Sequence, residues 1–152
     1  TPELRHAVDK DDLMRRIQAT VFSVQCLINA FYCEEVPWAK YDCEDEVRAL
    51  FLERRKLVPR LKAAFDTYRD TGKPPVRALV MDFTDDPATW NIDNEYMLCD
   101  DLLVAPIASG TGDEREVYLP ASAEWCDYFT GEDVPSGKFT VKTKGIPVYR
   151  KK

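Results

Sequence analysis

Apolar residues recur at helical spacing in the first part of the chain. Leu13, Ile17 and Val21 fall at i, i+4 and i+8, which places them on one face of a helix. Asp9 or Asp11 lies where a side chain can cap the start of that helix.

A second apolar stripe keeps the 3.6-residue period from 43 to 70 and predicts a long helix. Gly72 follows where a left-handed residue ends a helix, with Pro74 and Pro75 behind it. The stripe consists of Val47, Leu50, Phe51, Leu57, Val58, Leu61, Ala64, Phe65 and Tyr68.

Three further segments lack the alternation of apolar and polar positions that marks a half-buried strand. They are either apolar at nearly every position or rich in β-branched and aromatic residues. The segment 22–32 predicts a buried strand that ends near Asn29, and the segments 76–81 and 102–107 predict strands buried on both faces. Helices between such strands are typical of βαβ units with a parallel sheet, so we expect the strands at 24–29 and 76–81 to be neighbours.

The pattern changes after residue 108. "SGTGDE" (109–114) predicts a linker, and "REVYLP", "EWCDYFTG", "KFTVKT" and "IPVYRK" alternate as short strands of an antiparallel sandwich do. The order is therefore α–β–α–β followed by all-β. The 152 residues are too few for a complete eight-stranded barrel.

Composition narrows the classes of partner. The formal net charge of −6 argues against nucleic acid and against an anionic membrane as partners, and no apolar run approaches the length of a membrane span.

Five irregularly spaced cysteines without C-x-x-C predict neither a disulfide framework nor a zinc site, which favours a reducing compartment such as the cytoplasm. Nucleotide-binding motifs are absent, so we expect no cofactor and no metal. The opening "TPEL", without Met, indicates a piece of a longer protein.

Two groups of side chains could carry chemistry. The first is a dense set of carboxylates, which suits either glycoside hydrolysis by a carboxylate pair or simple capping and turn roles: Asp82, Asp85, Asp86, Asp93, Glu95, Asp100 and Asp101. The lone histidine, His6, lies in a polar stretch typical of a surface residue.

The second group is Asn29, Phe31, Tyr32 and Trp38, at and just after the predicted strand end. An amide beside aromatic rings suits sugar binding, because rings stack on C–H faces and the amide bonds paired hydroxyls. The alternative is loop anchoring, with Trp38 filling a gap in the core.

A series of short motifs resembles the C-terminal third of glycoside hydrolase family 31, the retaining exo-acting α-glucosidases, α-xylosidases and relatives. The motifs cover nearly the whole chain in order. They are "TPEL" (1–4), "RRIQ" (15–18), "FS" (22–23), "PW" (37–38), "LVPRL" (57–61), "TGKPPVRAL" (71–79), "FTDD" (83–86), "DNEYMLC" (93–99), "LLVAPI" (102–107), "VYLP" (117–120), "WCDYFTG" (125–131) and "IPV" (146–148).

The resemblance implies an α/β fold in which the last βα units of a (β/α)8 TIM barrel (1–108) lead through the linker (109–114) into the start of a β-sandwich (115–152). It also implies that both catalytic aspartates lie upstream of "TPEL", so we carry over no catalytic residue and expect the chain alone to be inactive. The expected partners are a carbohydrate substrate and the rest of the parent barrel.

The resemblance implies one substrate position. The family pattern F-S-P-x-x-R-x-H ends in a histidine that contacts the sugar, and Asn29 stands there, with Leu27 in place of the arginine. This departure favours a divergent specificity, such as an N-acetylated or otherwise modified sugar. Cys99 stands where the family prefers glycine, and we expect it to need only a small side chain. The alternative function is a non-catalytic β-rich module that binds carbohydrate or protein.

Overall fold

A computed structural model describes residues 4–31 and 33–152, and its elements form a helical layer, a six-stranded sheet and a two-stranded sheet. Short 3-10 turns occupy Leu4–His6 and Pro87–Thr89. The helices are α1 (Lys10–Val21), α2 (Pro37–Lys40), α3 (Glu44–Thr71) and α4 (Leu79–Asp82). The strands are β1 (Val76–Ala78), β2 (Tyr96–Leu98), β3 (Leu102–Val104), β4 (Glu114–Leu119), β5 (Trp125–Asp127), β6 (Asp133–Val134), β7 (Gly137–Lys142) and β8 (Val148–Lys151).

The large sheet has the order β1-β2-β3-β8-β5-β6, and β4 and β7 form the small sheet. Every strand pair in the described part of the chain is antiparallel. Because β3 pairs with β8, one sheet contains strands from both sides of residues 109–114. The predicted domain limits stay a prediction.

The core lies on both faces of the large sheet. Leu102, Val104 and Val148 share one apolar cluster with α1 and α3. Leu103 and Tyr149, which point to the opposite face, share a second cluster with β4 and β7. Coverage on both faces explains why β3 is apolar at every position, a property that the sequence pattern alone attributes to a parallel strand.

Both long helices are confirmed, and so are their end signals. Asp9 caps α1, its side chain accepting from the Asp12 N–H at 2.8 Å. Helix α3 ends at Gly72, whose φ of 78° is left-handed.

The predicted stripe on α3 is wider than the face that the core covers. Val47, Leu57, Leu61 and Ala64 are buried. Three other predicted members lie on the flank, where they are about half exposed, namely Val58 (53%), Phe65 (47%) and Tyr68 (48%).

Two strand predictions are wrong. The segment from Phe22 to Ile28 forms a turn, bends and coil, and among the described residues of 22–32 only Asn29 takes part in an isolated β-bridge. The segment 76–81 holds a strand only at β1, the edge strand paired antiparallel with β2, and continues as α4. Residues that favour strands form one only where a neighbouring strand supplies the backbone hydrogen bonds. In this segment the carbonyls of 21–24 accept hydrogen bonds from side chains instead.

The later strands are confirmed: β4, β5, β7 and β8 lie in the four predicted segments. The sheets are thus antiparallel with helices on one side, and the parallel arrangement expected for barrel strands is not what β1 adopts. In the part of the chain that the structure describes, no helix has the length and apolar character to cross a membrane.

Candidate functional site

The predicted sugar-binding residues lie on the segment that joins α1 to α2. Asn29 is half-buried, and its Oδ1 accepts a hydrogen bond from the Phe31 N–H at 3.0 Å, which closes a local Asx-type turn. Phe31 follows with 76% of its surface exposed. Tyr32 lies outside the described residues. The structure therefore brings Asn29 and Phe31 together at the surface.

Trp38 lies apart from that pair, in the single turn of α2. Pro37 occupies the first position of this turn, where its missing N–H costs nothing. The Trp38 side chain is half-buried and packs against the helical core cluster, and its carbonyl accepts from the Cys43 N–H at 2.9 Å. This contact favours the core-filling interpretation for Trp38.

The side chains of this segment differ in their exposure. Val24 and Ile28 pack against the core, whereas Leu27 is 51% exposed. Leu27 and Phe31 are exposed and Asn29 between them is half-buried, and we call these three residues the loop row. An amide between apolar side chains can bond one hydroxyl pair while the ring covers a sugar face.

Two residues that sequence reasoning missed hold the start of this segment. Arg54 of α3 donates to the carbonyls of Val21, Ser23 and Val24, and the Tyr96 hydroxyl of β2 donates to the Phe22 carbonyl. A signal for Arg54 exists, because it lies four residues after Leu50 and three before Leu57, on the apolar face of the helix. No comparable signal points to Tyr96.

Several of the dense carboxylates have structural partners, and Asp82 and Asp86 are two of them. Asp82 accepts from Arg77 at 2.8 and 2.5 Å. Burial alone would raise the pKa of Asp82, but the hydrogen bonds and charge of Arg77 outweigh it, and the pKa is lowered. Asp86 caps the turn Pro87–Thr89 and accepts from the Tyr118 hydroxyl at 2.7 Å, which confirms the capping interpretation.

Glu95 differs from these carboxylates because it is buried without a full set of partners. Its Oε1 accepts from the Tyr118 N–H at 3.0 Å, while Oε2 has no hydrogen-bond partner among the described residues. Burial raises the pKa of Glu95 to about 7. Within the described ranges, no group of three His, Cys, Asp or Glu side chains is placed to hold a metal ion.

Comparison with known proteins identifies the family. The model of the glycosyl hydrolase family 31 C-terminal domain matches residues 72–152. The chain is 36% identical over 124 residues to a 1,3-alpha-isomaltosidase of Kribbella flavida, a match that covers 76% of this chain and 17% of that protein. It is 26% identical to alpha-glucosidase 2 of Bacillus thermoamyloliquefaciens, over 96% of this chain and 19% of that protein.

Solved structures agree. The cycloalternan-degrading enzyme from Trueperella pyogenes, in complex with cycloalternan, matches with a TM-score of 0.82 and 29% identity over 95% of this chain and 22% of that one. A GH31 alpha-xylosidase from a soil metagenome, complexed with xylose, matches with a TM-score of 0.81 and 26% identity, over 92% of this chain and 24% of that one. The chain spans about a fifth of the length of these relatives. It belongs to glycoside hydrolase family 31.

Proposed function

We propose that this chain is the C-terminal part of a retaining exo-α-glycosidase, in which it forms a wall of the sugar pocket and the contact between the catalytic barrel and the β-sandwich. The observation that carries the proposal is the structural match over 95% of the chain to an enzyme with a carbohydrate bound. The catalytic aspartates belong to the preceding part of the enzyme, so the chain alone is inactive.

Asn29 is the proposed contact to the sugar. Because its Oδ1 already accepts from the Phe31 N–H, the Nδ2 group is the part of the amide best placed to donate to a sugar oxygen. The exposed Phe31 ring supplies a face on which a sugar can stack. Tyr32 and Trp38 remain sequence-based candidates for the wall, and the proposal rests on Asn29 and Phe31 because Trp38 packs against the helical core cluster.

The proposed substrates are α-linked glucosides. Relatives of this chain include a 1,3-alpha-isomaltosidase, and one neighbouring structure holds isomaltose. A neutral amide at position 29 is also compatible with an N-acetylated or otherwise modified sugar, since it can bond an acetamido group without needing a charge.

The test is Asn29→Ala in the full-length enzyme that contains this chain, with kcat/KM measured on isomaltose and on an aryl α-glucoside. We expect a fall of about 10- to 100-fold, because losing a hydrogen bond to a buried polar group costs about 1–3 kcal/mol. Asn91→Ala, at an exposed asparagine, is the matched control and should leave kcat/KM unchanged. An unchanged value for Asn29→Ala would remove Asn29 from the site.

Substrate choice is tested in the same enzyme with Asn29→His. If the neutral amide sets a preference for a modified sugar, the ratio of kcat/KM values should move toward the plain α-glucoside. Equal ratios in both forms would show that position 29 does not select the sugar.

A further inference from the structure

Four consecutive backbone carbonyls accept hydrogen bonds from side chains of distant elements where α1 ends. Arg54 donates through Nη1 to Val21 O at 2.8 Å and through Nη2 to Val24 O at 2.9 Å. The same Nη1 also contacts Ser23 O. The Tyr96 hydroxyl donates to Phe22 O at 2.8 Å.

Helix ends explain why these bonds matter. The last carbonyls of a helix have no intrahelical partner, and a cation placed there is favoured by the helix dipole. Arg54 meets both conditions from the neighbouring helix, and burial raises the pKa of Tyr96, so its hydroxyl keeps the proton it donates. The chain therefore leaves α1 in one fixed direction.

The side chains of Arg54 and Tyr96, with the carbonyls of 21–24 that accept from them, form what we call the clamp, and it lies close to the loop row. Asn29 is the fifth residue after Val24, the last clamped residue, and Val24 and Ile28 are both packed against the core. Phe22 is fully buried, with the ring of Tyr128 edge-on at 5.9 Å. The backbone before Asn29 is thus held by side chains rather than by a strand ladder.

We propose that Arg54 and Tyr96 are positioning residues that set the place of Asn29 in the sugar pocket. The inference rests on the proposed function and adds two residues that contact no substrate. Positioning has a large effect on rate, since a misplacement of about 1 Å can cost about 100-fold.

The kinetic test uses Tyr96→Phe, Arg54→Lys and Arg54→Gln in the full-length enzyme. Tyr96→Phe keeps the ring and removes only the hydroxyl, and we expect kcat/KM to fall about 5-fold; Arg54→Gln should lower it about 10- to 100-fold, with Arg54→Lys between. Arg55→Gln, at the exposed neighbouring arginine, is the control and should change nothing.

A double-mutant cycle separates positioning from general stability. If Arg54 acts through Asn29, adding Arg54→Gln to Asn29→Ala should produce little further loss of kcat/KM. Multiplied losses, about the product of the two single effects, would overturn the proposal.

Hydrogen exchange supplies a readout that does not need activity. Arg54→Gln and Tyr96→Phe should speed amide exchange in peptides covering 23–31, while peptides from β4 and β7 stay unchanged. Unchanged exchange at 23–31 would overturn the clamp even in an active enzyme. Faster exchange in an enzyme that cleaves no α-glycoside would leave the clamp standing and overturn the proposed function alone. If Arg54→Gln does not fold, Tyr96→Phe decides both measurements.

Discussion

At the scale of single residues, Glu95 links protonation to stability. Its Oε2 has no partner in the described structure, and the nearest cation, Arg115, lies 3.7 Å from Oε1. Arg115 itself donates to the carbonyls of Pro106 and Asn94. Burial raises the pKa of Glu95 to about 7 from an ordinary value of 4.5, so the folded chain binds the proton more tightly than the unfolded chain. The contribution of the protonated Glu95 to the free energy of unfolding is therefore present in full below about pH 4.5, and it is lost as the pH rises through about 7.

Replacing Glu95 by glutamine should remove this dependence. We expect Glu95→Gln to raise the free energy of unfolding at pH 8 by up to about 3 kcal/mol, and the gain to be small at pH 5. Urea unfolding at the two pH values measures both. Glu116→Gln, in an exposed pair with Lys138 at 2.7 Å, is the control and should stay within about 0.5 kcal/mol. Equal gains at pH 5 and pH 8 would contradict the assigned pKa.

Residue roles were predictable where the partner is close in sequence. Asp9 and Asp86 cap turns that begin beside them, and Gly72 ends the helix that precedes it. The roles of Arg54 and Tyr96 depend on partners about 30 and 74 residues away, which no local pattern reveals.

Cys99 shows a second limit to what the sequence predicts, because its backbone conformation is not visible in the residue type. The sequence suggested a demand for a small side chain, but the backbone there has a φ of 58°, the left-handed region that favours glycine. The Cys99 carbonyl accepts from Arg77 at 2.8 Å, which supports this conformation from across the sheet. The conformation, more than the volume, explains the resemblance of this position to a glycine site.

At the scale of elements, side chains of α1 donate hydrogen bonds to the turn between β7 and β8. Arg15, a buried side chain, donates to Gly145 O at 2.9 Å and pairs with Asp113 at 3.0 Å. Gln18, one turn later, donates to Lys144 O at 3.0 Å. The "RRIQ" motif therefore joins the helical layer to the strands that follow it.

Arg15→Ala should destabilise the chain by about 1–3 kcal/mol, because it leaves two backbone carbonyls and the partly exposed Asp113 without their donor. Arg69→Ala is the matched control: Arg69 is 69% exposed, pairs with Asp66 and should cost no more than about 0.5 kcal/mol. Chemical unfolding of both variants measures the difference. Similar losses would show that Arg15 acts only as a surface charge.

Helices and alternating strands were predicted well because their spacing is a local property. The segment 22–32 was misread because strand-forming residues also suit a packed, irregular segment when side chains satisfy the backbone. The segment 76–81 was misread because its apolar composition does not produce burial on both faces here: β1 is an edge strand, and Val76, Ala78 and Met81 are exposed.

At the scale of the whole molecule, apolar surface remains on the flank of α3. Val58 and Phe65 are seven residues apart on the same side of the helix and about half exposed. An exposed apolar face of this kind is typical of a contact with another part of a protein. The family relationship makes the remainder of the enzyme our proposed occupant.

We expect the double variant Val58→Ser, Phe65→Ser to bind less of an apolar-surface dye than the unaltered chain, with a change of about 1 kcal/mol or less in unfolding free energy, since little area is buried. Lys62→Ser, on the same helix, is the control and should leave dye binding unchanged. A large loss of stability in the double variant would show that the flank belongs to the core of this chain.

The pairing of β3 with β8 restricts how members of the family could exchange segments. Leu102, Leu103 and Val104 lie opposite Arg150, Tyr149 and Val148, so a crossover made within 109–114 would give the two partners of a ladder different parents. Recombination between Gly72 and Pro75 would instead transfer all eight of the described strands from one donor. Chimeras joined at the earlier position should retain their side-chain interdigitation, and those joined at the later one would have to rebuild it.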